Sequence, residues 1–85
     1  MKSFALEIRT PEKEIFLGRI IDLRVEAKDG KLGVLADHAP LAAMLAPGSI
    51  RCTLESGEEI DFQGESGFLI VKDNFASLLL KGLKN

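Results

Sequence analysis

The feature that most constrains this chain is a period of two. Phe4, Leu6 and Ile8 are interleaved with Ala5, Glu7 and Arg9. Ile21, Leu23 and Val25 are interleaved with Asp22, Arg24 and Glu26. Ile50, Cys52 and Leu54 alternate with Arg51, Thr53 and Glu55, and Ile60 and Phe62 with Glu59, Asp61 and Gln63. Successive side chains on a strand point to opposite faces, so each run reads as a strand with one buried face. Asp29-Gly30, Ser56-Gly57 and Asp73-Asn74 separate such runs with residues that accept the positive φ of tight hairpins. Pro11 and Pro47-Gly48 mark two further breaks. Strands at this spacing make an all-β domain, an antiparallel sandwich or barrel. Its predicted core is Leu6, Ile8, Ile21, Leu23, Val25, Ile50, Leu54, Ile60 and Phe62, buried between two sheets.

Three stretches break the alternation. Phe68 to Val71 ("FLIV") and Phe75 to Leu80 ("FASLLL") are apolar at successive positions, so both faces of each strand are apolar. Such strands are either covered by a loop of the same chain or turned toward a partner. The third is "LAAMLA", six residues between Pro40 and Pro47, shorter than an isolated helix needs. Ala39 precedes a proline, which favours extended backbone. The segment is expected to be an extended or irregular edge, with one helical turn as the alternative.

Eighty-five residues make one modest core, since a chain this size buries only about 60–65% of its unfolded surface. Its 46% hydrophobic and 28% charged residues are those of a globular chain. With 11 basic and 13 acidic residues the net charge is −2, and the signs are mixed except for the acidic stretch Glu55 to Glu65. The absence of a Lys/Arg cluster, of Trp and of Tyr argues against nucleic-acid binding. One cysteine cannot form an internal disulfide, which fits a reducing compartment. No stretch reads as a signal peptide or reaches the roughly 18 apolar residues of a membrane helix.

His38, the one histidine, stands beside Asp37 and invites a catalytic reading. Nucleophilic catalysis needs a Ser or Cys within reach and a carboxylate oriented behind the imidazole. In extended chain the Asp37 and His38 side chains point apart, and no nucleophile motif surrounds Ser49 or Ser66. One His and one Cys do not make a metal site. His38 is therefore expected to hydrogen-bond its own loop, with contact to a partner surface as the alternative. Cys52 sits on an apolar face and reads as a small core residue. "GKLG" and "GESG" open no helix and so offer no phosphate cradle; their glycines serve turns or bulges. These residues describe a small interaction module, without catalytic residues, metal or cofactor.

The segment "DGKLGVLADHAPLAAMLAPGSIR" resembles the Gly-x-x-Gly-(Val/Ile)-Leu-x-x-His-Ala-Pro-Leu…Pro-Gly pattern of the epsilon subunits of F-type ATP synthases. The opening "FALEIRTPEKEIFLGRI" and the late "GFLIVKDNFASLLL" match the same family in the same order. The resemblance implies a flattened antiparallel β-sandwich, a single small domain over residues 1–85. It further implies a non-catalytic rotor subunit of the central stalk, bound to the gamma subunit and the c-ring. That complex works at the cytoplasmic side of a bacterial inner membrane and couples proton or sodium flow to ATP synthesis. Thr10, His38, Ala39, Pro40, Leu41 and Met44 would then meet gamma, and Lys28, Asp29, Gly30 and Lys31 the c-ring. Typical members of the family continue into an inhibitory helical hairpin; this sequence stops at "KGLKN", about where that hairpin would begin. The alternative from a different class is a free-standing β-sandwich adaptor or ligand-binding module unrelated to the synthase.

Overall fold

The computed structural model describes residues 1–84, and in them the chain is all strand and turn. Eight strands follow in order: β1 (Phe4–Arg9), β2 (Glu14–Ala27), β3 (Gly30–Val34), β4 (Leu41–Leu45), β5 (Gly48–Leu54), β6 (Glu59–Gly64), β7 (Gly67–Lys72) and β8 (Phe75–Leu80). β2 is long enough to serve both layers of a sandwich. Its first half pairs with β1, which continues through β8 and β7 to β4. Its second half lies between β3 and β5, and β5 pairs with β6. Neighbouring strands are antiparallel except β1 and β8, which run parallel. The expected antiparallel sandwich thus holds with one parallel seam, where the first strand meets the last.

The core fills the space between the layers. Phe4, Leu6, Ile8, Leu69, Val71, Ala76, Leu78 and Leu80 face inward from one sheet; Leu23, Val25, Val34, Ile50 and Cys52 face them from the other. Leu54, Ile60 and Phe62 are half-buried and pack on its edge, Phe62 meeting Phe16 edge-on with ring centroids 6.2 Å apart. The register of β2 departs from the simple alternation at one point. Ile20 pairs with Leu54 and Asp22 with Thr53, so Ile21 is an extra residue, a β-bulge. The bulge reverses the phase of the strand. Ile20 is fully buried, and Ile21, the expected core residue, is only half-buried.

The turns explain their residues. Asp73 and Asn74 both have positive φ, 53° and 59°, as a two-residue type I′ hairpin requires. The glycines of "GESG" are strand residues. A side chain at Gly67 would put its Cβ 2.1 Å from the Leu79 carbonyl oxygen, so β7 and β8 can approach there only without one.

Candidate functional site: an apolar sheet face

The register fixes what the outer face of the β4–β7–β8–β1 sheet presents. Met44, Phe68, Leu79 and Arg9 form one cross-strand row. Ala42, Ile70, Ser77 and Glu7 form the next, and Lys72, Phe75 and Ala5 the third. Met44, Phe68, Ile70, Phe75 and Leu79 are 41–53% exposed and adjoin one another, and the charged residues of these rows are Glu7 and Arg9 on β1 and Lys72 at the end of β7. This is where the doubly apolar β7 and β8 lead. Leu69, Val71, Ala76, Leu78 and Leu80 fill the core, and the alternate residues stand uncovered on the outside. Contiguous exposed apolar surface of this kind marks interaction sites.

The opposite outer face is polar. A broad groove of about 750 Å³ there is bordered by Arg24, Arg51 and Lys31 together with Asp22, Glu26 and Glu59. Arg24 and Arg51 face each other across β2 and β5, an unfavourable like-charge pair. Each is neutralised locally: Arg24 donates to Asp22 at 3.0 Å and Arg51 to Asp61 at 3.4 Å. The bond to Asp22 also raises the Arg24 guanidinium above its ordinary pKa. With both signs balanced, this groove has no preference for an anion.

The residues singled out in the sequence fall around the apolar face. Met44 lies on it. Leu41, three positions earlier on the same strand, points the other way and packs against the core, so the pair is split by the period of two. The "LAAML" run is a strand, paired along one side with β7. On its other side only its end is engaged, where Ala27 pairs with Leu45 and the Lys28 N–H donates to the Met44 carbonyl at 2.9 Å. That bond ties the exposed Lys28–Lys31 hairpin tip directly to the face. Thr10 is buried at the end of β1, where its N–H donates to the Lys13 carbonyl at 2.9 Å and its hydroxyl accepts from the Lys13 N–H at 3.3 Å. It shapes the β1–β2 turn beside Phe68 and Leu79.

His38, Ala39 and Pro40 lie in the β3–β4 loop. Asp37, in a left-handed conformation (φ 63°), receives its hydrogen bonds elsewhere than from His38. Its N–H donates to Asn74 Oδ1 at 2.6 Å, the Asn74 amide donates back to its carboxylate at 3.0 Å, and Lys2 caps the other oxygen. Lys2, then Asn74, hold the Asp37 carboxyl below its ordinary pKa. His38 donates from Nδ1 to the carbonyl of Ala39 at 2.7 Å, since a carbonyl oxygen can only accept. The histidine bonds its own loop, and the loop is pinned to the β7–β8 turn. Asp37 and His38 are not a catalytic pair. Among the described residues no group of three His, Cys, Asp or Glu side chains could hold a metal ion. Cys52 is buried, and burial, with the nearby charge of Asp61, pushes its thiol up and away from the reactive thiolate.

Comparison with known proteins decides the family. Residues 3–83 match the model of the β-sandwich domain of the ATP synthase delta/epsilon chain. The chain belongs to that family. It is 40% identical over 78 residues to the ATP synthase epsilon chain of Chlorobium limicola, covering 92% of this chain and 89% of that one. It is likewise 40% identical over 79 residues to the epsilon chain of Chromohalobacter salexigens, covering 93% of this chain and 56% of the relative. In fold it superposes on a chain of the Euglena gracilis mitochondrial ATP synthase, solved with OSCP, F1 and c-ring, with a TM-score of 0.90 at 21% identity. That match covers 96% of this chain and 52% of the other. A chain of the Tetrahymena thermophila central stalk and c-ring complex gives 0.82 at 20% identity, covering 99% and 67%. An adaptor unrelated to the synthase is thereby set aside. What sequence reasoning missed is the extent of the face: Phe68, Ile70, Phe75 and Leu79 carry it, and their signal was the loss of alternation in β7 and β8.

Proposed function

We propose that this chain is a non-catalytic rotor subunit of an F-type ATP synthase that grips the gamma subunit with the outer face of its β4–β7–β8 sheet. The observation that carries the reading is the uncovered cluster of Met44, Phe68, Ile70, Phe75 and Leu79. His38, Ala39 and Pro40 stand at one end of this face and Thr10 at the other. Leu41 packs against the core on the other side of β4 instead of touching the partner.

Magnitudes show what else is needed. Fully burying a large apolar side chain contributes about 1.5–3 kcal/mol. These five are already half-buried, so docking adds roughly 1 kcal/mol each, or about 5 kcal/mol together. Association itself costs about 4–15 kcal/mol. These five side chains alone therefore do not hold gamma, and the rest of the same interface must contribute to the contact. The hairpin tip of Lys28, Asp29, Gly30 and Lys31 adds, in this reading, a separate contact to the polar loops of the c-ring. Because Lys28 is hydrogen-bonded to Met44, force applied at the tip passes straight into the gamma-binding strand. In this reading the subunit works at the cytoplasmic face of a bacterial inner membrane, held there through the complex.

The test is reconstitution of a synthase depleted of its own epsilon chain. Adding this chain should restore proton pumping coupled to ATP hydrolysis. Reversing both Lys28 and Lys31 to Glu should weaken the coupling, more so at low salt where screening is weak. Full pumping by that double variant at low salt would remove the c-ring assignment. Failure of the parent chain to enter the complex would remove the rotor reading altogether.

A further inference from the structure

At the margin of the apolar face lies a shallow, open depression. Between the end of β1 and the ends of β7 and β8 lies a groove of about 320 Å³, with mainly apolar walls. That volume is at the lower limit of small-molecule sites. Thr10 and Pro11 border it on the β1 side, and Phe68 and Leu79 on the other. Both sides are fixed. The Thr10–Lys13 hydrogen bonds set the turn, and at Gly67 the backbones of β7 and β8 are in direct contact. Phe68 and Leu79 also belong to the first row of the apolar face, so groove and face are continuous. Two cations line the groove, Arg9 and Lys81. Arg9 is paired with Glu7 at 3.5 Å and Glu14 at 3.4 Å, whereas the Lys81 ammonium has no ion-pair partner among the described residues.

We propose that this groove receives one aliphatic or aromatic side chain of the partner, carried next to a carboxylate that meets Lys81. The inference rests on the reading that gamma covers the β4–β7–β8 face, and it names the anchor that gamma must present there. An apolar depression continuous with the face, with cations at its rim, suits a partner side chain that is itself apolar and followed by an acidic one. The Lys81 ammonium, unpaired among the described residues, favours the acidic neighbour and speeds the encounter. The groove also accounts for Thr10 at this margin: its hydroxyl is used inside the turn, so it shapes the pocket and does not itself touch the partner.

The experiment places a cysteine at the exposed Pro11 (Pro11→Cys) and modifies it with either a methyl or a hexyl methanethiosulfonate. Cys52, fully buried, is spared in the folded protein. Each modified protein is checked for an unchanged melting curve and titrated with the gamma subunit. The methyl form should bind like the parent. The hexyl form, its chain lying in the groove, should bind about tenfold or more weakly. Lys81→Glu should weaken binding at low salt, with the difference shrinking as salt rises. Met44→Asp serves as the control for the face. If Met44→Asp weakens binding and the hexyl form does not, the groove inference falls while the face stands. If neither weakens it, both fall. A Lys81→Glu variant that binds like the parent at low salt removes the carboxylate from the proposal.

Discussion

Substitution at Ile20 and Ile21 tests the register of β2 most sharply, because a one-residue error would exchange their environments. Ile20 is fully buried between the layers, and Ile21 is the half-buried extra residue of the bulge. Ile20→Ala removes buried carbons and leaves a cavity at the point where β2 passes from one layer to the other, at a cost of about 2–5 kcal/mol. Ile21→Ala removes a side chain that is already partly in water and leaves no enclosed void, so about 1 kcal/mol is expected. In a domain of this size each kcal/mol lowers the melting temperature by about 4–8 °C. Thermal and urea unfolding followed by circular dichroism should therefore separate the two variants by roughly 5 °C or more. If Ile20→Ala does not fold, Ile20→Val is the gentler probe, at about 0.5–1.5 kcal/mol. An Ile21→Ala variant as damaged as Ile20→Ala, or more so, would show that the bulge is misplaced and the simple alternation continues.

Gly67→Ala drives a Cβ into the Leu79 carbonyl, which is backbone and cannot swing away, so a loss of about 1–3 kcal/mol is expected in chemical denaturation. Gly33→Ala, whose nearest neighbours are 3.8 Å away, should stay within about 0.5 kcal/mol of the parent, and equal effects would contradict the close approach of β7 and β8. The folded pKa of Asp37 lies below its unfolded value, so its contribution is complete above the unfolded pKa and lost as pH falls through the depressed one. Melting temperatures of the parent and Asp37→Asn should accordingly converge on acidification, and a constant gap through the acid range would refute the Lys2–Asp37–Asn74 link. Cys52 should resist alkylation at neutral pH until the domain unfolds, as measured by mass after timed quenching; rapid labelling of the folded chain would contradict its burial.

Much of this fold is legible in the sequence because its physics is local. Alternation from Phe4 to Arg9 and from Ile50 to Gln63 marks strands whose two faces differ, and Asp73-Asn74 marks a turn whose dihedrals few other residues accept. What is not legible depends on pairing. Nothing within "GRIIDLR" shows that Ile21 is the extra residue; that follows from β5, thirty residues later, matching Leu54 to Ile20 and Thr53 to Asp22. The parallel seam of β1 and β8 is likewise a meeting of chain ends that neither strand encodes alone. At the candidate site, the apolar excess of β7 and β8 signals that something is left over after the core is filled. Which residues are left over is decided by register: Phe68 and Ile70 go out while Leu69 and Val71 go in. The split of Leu41 from Met44 has the same cause, since a spacing of three shares a face on a helix but not on a strand.

The central claim is that the apolar face, and not the polar one, meets gamma. Calorimetric titration of the gamma subunit into Ile70→Asp and Glu59→Lys measures it directly, because Ile70 lies in the middle row of the apolar face and Glu59 borders the polar groove opposite. Both positions are exposed, so both variants should fold, which their melting curves will verify. Ile70→Asp should weaken binding by tenfold or more, roughly 1.4 kcal/mol at least, and Glu59→Lys should leave it unchanged. Equal binding by Ile70→Asp and the parent, or a loss confined to Glu59→Lys, would contradict the account.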